Sequence, residues 1–252
     1  MSDVLKGDML KGDVLKGKVA LVTGAGRGIG RCTVDSLQAL GASVVAGLEE
    51  DSQRQAVEGT DSVLLNVTRE SDWAEAVAHC VSSHGGLDIL VNNAGILREG
   101  TAEETSVEMW NEVLGVNLMS VFLGAKYAVP ALRARGGGAI CNVASIDGLT
   151  GNLRHVAYGA SKGGVVSLTR HLAIDHAPEG IRVNCVCPGT VHTQMVLENM
   201  ASYSEEQIRQ KHPLGRQAQP EEVADAIAYL CSPQASFITG QALPVDGGRS
   251  VR

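Results

Sequence analysis

Aromatic side chains are scarce in this chain, with two Trp, four Tyr and two Phe among 252 residues. A surface that holds single-stranded nucleic acid stacks bases on exposed rings, so that class of partner is excluded. The formal net charge of -7, with no stretch where Lys and Arg gather, also argues against a nucleic-acid backbone as partner. The six cysteines (Cys32, Cys80, Cys141, Cys185, Cys187 and Cys231) include no CxxC pair, and no zinc or redox motif is expected, so the metal expectation is none. Cys185 and Cys187 flank Val186 and fit two alternating positions of a buried strand. With no framework of spaced cysteines and no secretory leader, the reducing cytoplasm is the expected compartment. No apolar run approaches the ~20 residues of a membrane span, so no membrane partner is expected.

Glycine, by contrast, is abundant at 30 residues, which suits an α/β protein with tight strand-to-helix turns. The N-terminus repeats one five-residue unit three times, at 3–7, 8–12 and 13–17. A period of five matches neither a helix face nor a strand face, so residues 1–14 read as a disordered extension. Residues 15–252 read as a single domain. Short apolar runs at Val19–Thr23, Ser43–Leu48, Val63–Leu65, Ile89–Asn92, Ala139–Val143, Arg182–Val186 and Ala242–Val245 predict strands. Amphipathic stretches at Ile29–Leu40, Asp72–Ser83, Val107–Ala134, Tyr158–His176 and Pro220–Cys231 predict the helices between them, with a kink or an end near Pro130. Early strands apolar on both faces, alternating with helices, predict one doubly wound parallel sheet of Rossmann type covered on both sides. Residues 194–215 are less regular and read as a lid over the substrate.

The turn from Thr23 to Gly30 (TGAGRGIG) follows the first strand and opens the first helix. Glycines let a backbone turn sharply and approach a pyrophosphate, whose charge then meets a helix N-terminus. Alone, such a turn is also compatible with a purely structural role. Its spacing, Gly24-x3-Gly28-x-Gly30, resembles that of the short-chain dehydrogenase/reductase family, as do Asn92-Asn93-Ala94-Gly95, Asn117, Ser145, the pair Tyr158-x3-Lys162, and Pro188-Gly189 with Thr193. The resemblance runs from about Leu15 to Gly248. It implies a nicotinamide-dependent oxidoreductase that moves a hydride between a secondary alcohol and its carbonyl form. Asn117, Ser145, Tyr158 and Lys162 would be the catalytic set. Gly24, Gly26, Arg27, Gly28, Ile29 and Gly30 would hold the cofactor's phosphates. Glu49, Asn66 and Val67 would meet its adenosine half. Asn93, Ala94, Gly95, Pro188, Gly189, Val191 and Thr193, with Tyr158 and Lys162, would meet its nicotinamide half. A homotetramer, or a dimer, built through the helices after the fourth and fifth strands is also implied.

The chemistry of these residue types agrees. Tyr158 and Lys162 are four apart and share one helix face. A free phenol, with a pKa near ~10, is a poor base at neutral pH, and a neighbouring ammonium together with the positive nicotinamide ring would bring it into working range. Ser145 can donate to an oxygen on which charge develops, and Asn117 can hold a water in a proton relay. A hydrolase triad of Ser145 with His155 or His192 is excluded because Ala144-Ser145-Ile146 has no flanking glycines.

Glu49 and Glu50 would repel a 2′-phosphate, so NAD is favoured over NADP, although Arg27 pulls the other way. The family's usual Asp is replaced here by Asn66. Candidate substrate contacts are Ser145, Asp147, Asn152, Arg154, His155, Tyr158 and His192, with Arg98, Gln194 and Met195 nearby. Their polarity predicts a small-molecule substrate of the sugar or polyol type, with any anionic group met by Arg154 and His155. The alternatives are an NADPH-dependent 3-oxoacyl reductase and a cofactor-binding protein without turnover.

Overall fold

The computed structural model describes residues 12–199 and 205–252. The first repeat copy and most of the second lie outside the described residues. Val14 packs against the core and the Leu15 N–H donates to the Leu40 carbonyl at 2.8 Å, so the third copy is tied to the domain.

In chain order the elements are β1 (Val19–Thr23), α1 (Gly28–Ala39), β2 (Ser43–Leu48), β3 (Asp61–Leu64), α2 (Glu70–His84), β4 (Ile89–Asn92), α3 (Val107–Leu114), α4 (Ser120–Ala134), β5 (Gly138–Val143), α5 (Val156–His176), β6 (Ile181–Pro188), α6 (Gln194–Asn199), α7 (Glu205–Lys211), α8 (Pro220–Cys231) and β7 (Ala242–Val245). Among the described residues the seven strands form one sheet in the order β3-β2-β1-β4-β5-β6-β7, every pair parallel. The order reverses between β1 and β4, which opens a crevice at the carboxyl ends of those strands.

Period-two alternation assigns each strand residue to a layer. Ala20 and Val22 join Val34 and Leu37 of α1 and Val223 and Ile227 of α8 on one face. Val19 and Leu21 face the other layer, with Trp73 and Cys80 of α2 and Leu123 and Leu132 of α4. Cys185 and Cys187 are both buried in β6, packed with Val121 of α4 and Val165 of α5.

The structure departs from the predicted boundaries in physically simple ways. β3 starts at Asp61 rather than Val63 because Asp61 and Ser62 pair with β2 through backbone alone, which an apolar pattern cannot reveal. β6 extends from Ile181 to Pro188, beyond the predicted 182–186. Helix α4 runs through Pro130 to Ala134, one turn further. The irregularity of that long helical stretch lies instead at Gly115–Met119, a π-helical turn joining α3 to α4. The combined 28-residue helix is long and apolar enough, by length and composition, to cross a membrane. Its apolar residues have another use: half of its most apolar 18-residue window is buried, and the helix packs against the sheet, α2 and α5.

Asp88 sets the floor of the sheet. Only 3 % exposed, it accepts from the Val19 N–H at 3.0 Å, from Lys18 Nζ at 3.0 Å and from Arg135 beyond α4 at 3.1 Å. Burial alone would raise this carboxyl, but the three donors outweigh it and hold Asp88 below the usual carboxylate range.

Candidate active site

The crevice begins where β1 ends. Gly24 has φ of +61°, and a Cβ on Gly30 would stand 2.2 Å from the Gly24 carbonyl oxygen, so the helix can close on the turn only with hydrogen there. Arg27, extended at φ -159°, is the N-cap of α1 and its side chain caps nothing. The N–H groups of Gly28, Ile29 and Gly30 therefore open α1 without a side-chain cap, an arrangement suited to an anion. Thr23 Oγ1 accepts from the Asn93 and Ala94 N–H groups, each at 3.0 Å, while Asn93 Nδ2 donates to the Thr23 and Gly24 carbonyls. The turns after β1 and β4 are thus clamped together, and the crevice keeps its width.

A second chain of amides positions the catalytic helix. Asn92 Nδ2 donates to Asn142 Oδ1, and Asn142 Nδ2 to Thr169 Oγ1, both at 2.9 Å, which links β4, β5 and α5. Asn117, fully buried in the π turn, donates to the Ile96 carbonyl at 2.9 Å and to Ser161 Oγ at 3.1 Å, and accepts from the Ile96 N–H at 2.8 Å. A Cβ on Gly95 would lie 3.2 Å from Asn117 Oδ1 and 3.3 Å from Lys162 Nζ, so the glycine is what lets these two groups approach one strip of backbone.

On α5, Lys162 is buried and its ammonium donates to the Val143 carbonyl at 2.8 Å, 5.7 Å from the centre of the Tyr158 ring. Ser145, just beyond β5, accepts from the Asp147 N–H at 3.1 Å and hydrogen-bonds the Tyr158 hydroxyl. In the protein without cofactor the phenol lies above its ordinary value. Burial pushes Tyr158 up to about 12, the Ser145 hydrogen bond pulls it down, and the Asp147 charge raises it further. Burial also pushes Lys162 down to about 8. Desolvation is the largest influence on both groups, and at neutral pH the phenol is neutral.

The site opens into one cleft of about 370 Å³. Ser145, Tyr158 and Lys162 line it, together with Gly24, Arg27, Gly28 and Ile29 from the first turn. Glu49, Asn66 and Val67 line one end, and Asn93, Ala94 and Gly95 with Pro188, Gly189, Val191 and Thr193 line the rest. Gly26 and Gly30 lie behind the wall as packing glycines, Gly26 under the Gln53 side chain. Asn117 lies behind it too, adjoining Gly95. Asn66 Oδ1, expected to accept from an adenine amine, already accepts from the Thr68 N–H at 3.0 Å and the Thr68 hydroxyl at 2.7 Å.

Five of the expected substrate contacts stand outside the cleft wall. Arg154, exposed at φ +60°, is paired with Glu104 at 2.7 Å and holds that carboxyl down at about 2. His155 Nδ1 lies 2.5 Å from Asp147 Oδ2 and its Nε2 lies 3.7 Å from Glu99. Asn152 Nδ2 is 3.1 Å from that same imidazole, and His192 is exposed. Arg154 is held by a partner distant in sequence, whereas Asp147, Asn152 and His155 hold one another within one loop. Arg98, Gln194 and Met195, expected at the pocket, do line the cleft, with Arg98 paired to Glu112 at 2.8 Å, and Ile96, Leu97 and Val116 join them. Gln53, beside Glu49, was missed as well, for it lies in a polar 3₁₀ turn without a pattern. For Ile96 and Leu97 a signal existed, since they directly follow Gly95.

The uncapped helix start, the glycine cradle and the acidic end of β2 fit a nicotinamide dinucleotide laid across the strand switch. Fold and site together define a dinucleotide-dependent oxidoreductase. The family model described as enoyl-(acyl carrier protein) reductase matches residues 24–250. The cyclohexanol dehydrogenase of Acinetobacter sp. (strain SE19) is 42 % identical over 91 % of this chain and 94 % of its own length. The ligand-free aldohexose dehydrogenase of Thermoplasma acidophilum superimposes with a TM-score of 0.88 at 34 % identity, covering 95 % of this chain and 96 % of that one. The 3-ketoacyl-(acyl-carrier-protein) reductase of Brucella melitensis, complexed with NADH, gives 0.88 at 37 % identity over 94 % and 99 %. The chain belongs to the short-chain dehydrogenase/reductase family, enzymes that interconvert secondary alcohols and their ketones with a nicotinamide cofactor.

Proposed function

We propose that this enzyme uses NAD(H) and acts on a ring-borne secondary alcohol of the sugar or polyol type, with Tyr158 as its acid–base. The observation that carries the reading is that Ser145, Tyr158 and Lys162 all line one wall of the cleft, with the Lys162 ammonium 5.7 Å from the Tyr158 ring centre. When bound, the oxidised nicotinamide supplies a hydride acceptor and a positive charge. Tyr158 Oη takes the carbinol proton during oxidation and returns it during reduction. Ser145 Oγ, tied to the Asp147 N–H, holds the substrate oxygen as charge develops there. Lys162 lends its ammonium to Tyr158 and to the nicotinamide ribose hydroxyls. Asn117 acts behind both by holding the Ile96 backbone, and through it the floor at Gly95, and by orienting a relay water.

Glu49 lines the cleft, where its charge favours a 2′-hydroxyl over a 2′-phosphate. The neutral ring substrate is supported by the wall: Ile96, Leu97 and Met195 suit an apolar face, and the Arg98–Glu112 pair suits a hydroxylated edge. Arg154 and His155, offered for an anionic group, already sit against carboxylates. The similarity to the 3-ketoacyl reductase favours a second reading, an NADPH-dependent 3-oxoacyl reductase. We also infer a homo-oligomer, supported by exposed apolar side chains at Met119, Phe122 and Ile174, at α4 and on α5. A reducing cytoplasm is supported by six free cysteines, five of them buried.

Tyr158→Phe is the direct test. It is expected to lower turnover by about 10²- to 10⁴-fold while NADH still binds, read as quenching of protein fluorescence. Full activity in that variant refutes the acid–base assignment. Initial rates with NAD against NADPH, on cyclohexanol, aldohexoses, polyols and an acetoacetyl thioester, separate the two substrate readings.

A further inference from the structure

Asp61, His79 and His84 meet at the edge of the sheet opposite the cleft. Asp61 is the first residue of β3, and the strands run from that edge toward the cleft. Helix α2 starts beyond the cleft edge and returns over 15 residues, about 22 Å, so His79 and His84 in its second half come back beside Asp61. Both imidazole Nε2 atoms lie 2.7 Å from one and the same oxygen, Asp61 Oδ2. The three ligand atoms all fall within 4.8 Å of one another.

From these positions we infer a binding site for one divalent transition-metal ion of the zinc class, held by Asp61, His79 and His84 with water completing the coordination. Two imidazoles aimed at one point are more than an ion pair requires, whereas a metal needs that convergence. At zinc–ligand distances of about 2.0–2.2 Å, tetrahedral donors stand roughly 3.3–3.6 Å apart, so the carboxylate has to withdraw by less than about 1 Å. The side chains are 35 %, 34 % and 23 % exposed, which leaves room for that shift and a path for the ion. Gly85 ends α2 in the left-handed conformation immediately after His84, which fixes where that residue stands. Borderline nitrogen donors with a single carboxylate select zinc, copper or nickel over magnesium or calcium. Because the ligands come from β3 and α2, the ion staples the edge strand to its helix, far from the hydride chemistry.

The test uses the full chain, stripped with chelator and titrated with zinc and then cobalt near pH ~7.5. The expected result is one ion per chain by calorimetry, a visible cobalt absorption band of tetrahedral type, and a Tm rise of roughly 5 °C at a hundredfold excess of zinc over Kd. Asp61→Asn and the double variant H79A/H84A should each lose the ion, the band and the Tm gain. Their NAD-linked turnover and their Tm in chelator should stay near the parent values. Binding that persists in both variants, or a parent chain that takes up no ion at roughly 100 μM zinc, overturns the site.

Discussion

Tyr158 and Lys162 show how far a residue's chemistry depends on its surroundings. Sequence spacing puts both on one helix face, but burial, not proximity, sets their titration in the free protein, with the phenol at about 12 and the ammonium at about 8. On the proposed reading, the positive nicotinamide would be the charge that brings the phenol down. In ¹³C NMR of tyrosine-labelled protein, the Tyr158 Cζ signal, assigned by its loss in Tyr158→Phe, should titrate near about 12 without cofactor. Saturation with NAD should move it downward by at least about one unit. A signal that does not move separates Tyr158 from the role proposed for it. At the other end of the cleft, Glu49→Arg exchanges a repelling for an attracting charge beside the ribose 2′ position. The ratio of kcat/KM for NADP over NAD should rise by about ten- to a hundredfold, since a hydrogen bond to a charged group contributes about 1.5–3 kcal/mol.

At the scale of elements, two devices hold the site. Asn117 satisfies both backbone groups of Ile96 from inside the π turn. Asn117→Ala removes two hydrogen bonds to the half-buried backbone of Ile96, at a cost of about 1–3 kcal/mol, so Tm should fall by roughly 2–10 °C by calorimetry. Asp88 ties β1, β4 and the end of α4, and its carboxyl is held below the ordinary range. Such a group contributes stability that is present above the unfolded pKa and is lost as pH falls through the folded one. Asp88→Asn should therefore lower Tm by several degrees at pH ~7, and the gap between variant and parent should close toward pH ~3, as seen by calorimetry. A gap independent of pH removes the carboxylate from the account. Neither device was legible in the sequence. The apolar pattern predicts a helix over 107–134 but is blind to the one-residue change of winding at Gly115–Met119. Asp88, next to a strand, carries no local signal of the three donors that reach it from elsewhere.

For the whole molecule, the α4 and α5 surface remains the open question. Met119 is 52 %, Phe122 46 % and Ile174 74 % exposed, and large apolar side chains left in water on α4 and α5 would gain from burial against another copy. Light scattering on a sizing column should give a dimer or tetramer mass, and Phe122→Asp should lower it toward 26.3 kDa. A monomeric parent ends the oligomer reading.

What the amino-acid sequence determined alone was the order of elements, the parallel sheet, and the turn and helix positions of Gly24, Ser145, Tyr158 and Lys162. These follow from local rules: strand and helix periodicity, the conformations open only to glycine, and the four-residue repeat of a helix face. Which polar side chains reach the cleft was decided only by the tertiary structure. Arg154 is claimed by Glu104 and His155 by Asp147, while Asp61 gathers His79 and His84. Direction, burial and partnership depend on residues brought together by folding, and these also set the charge state of the catalytic pair.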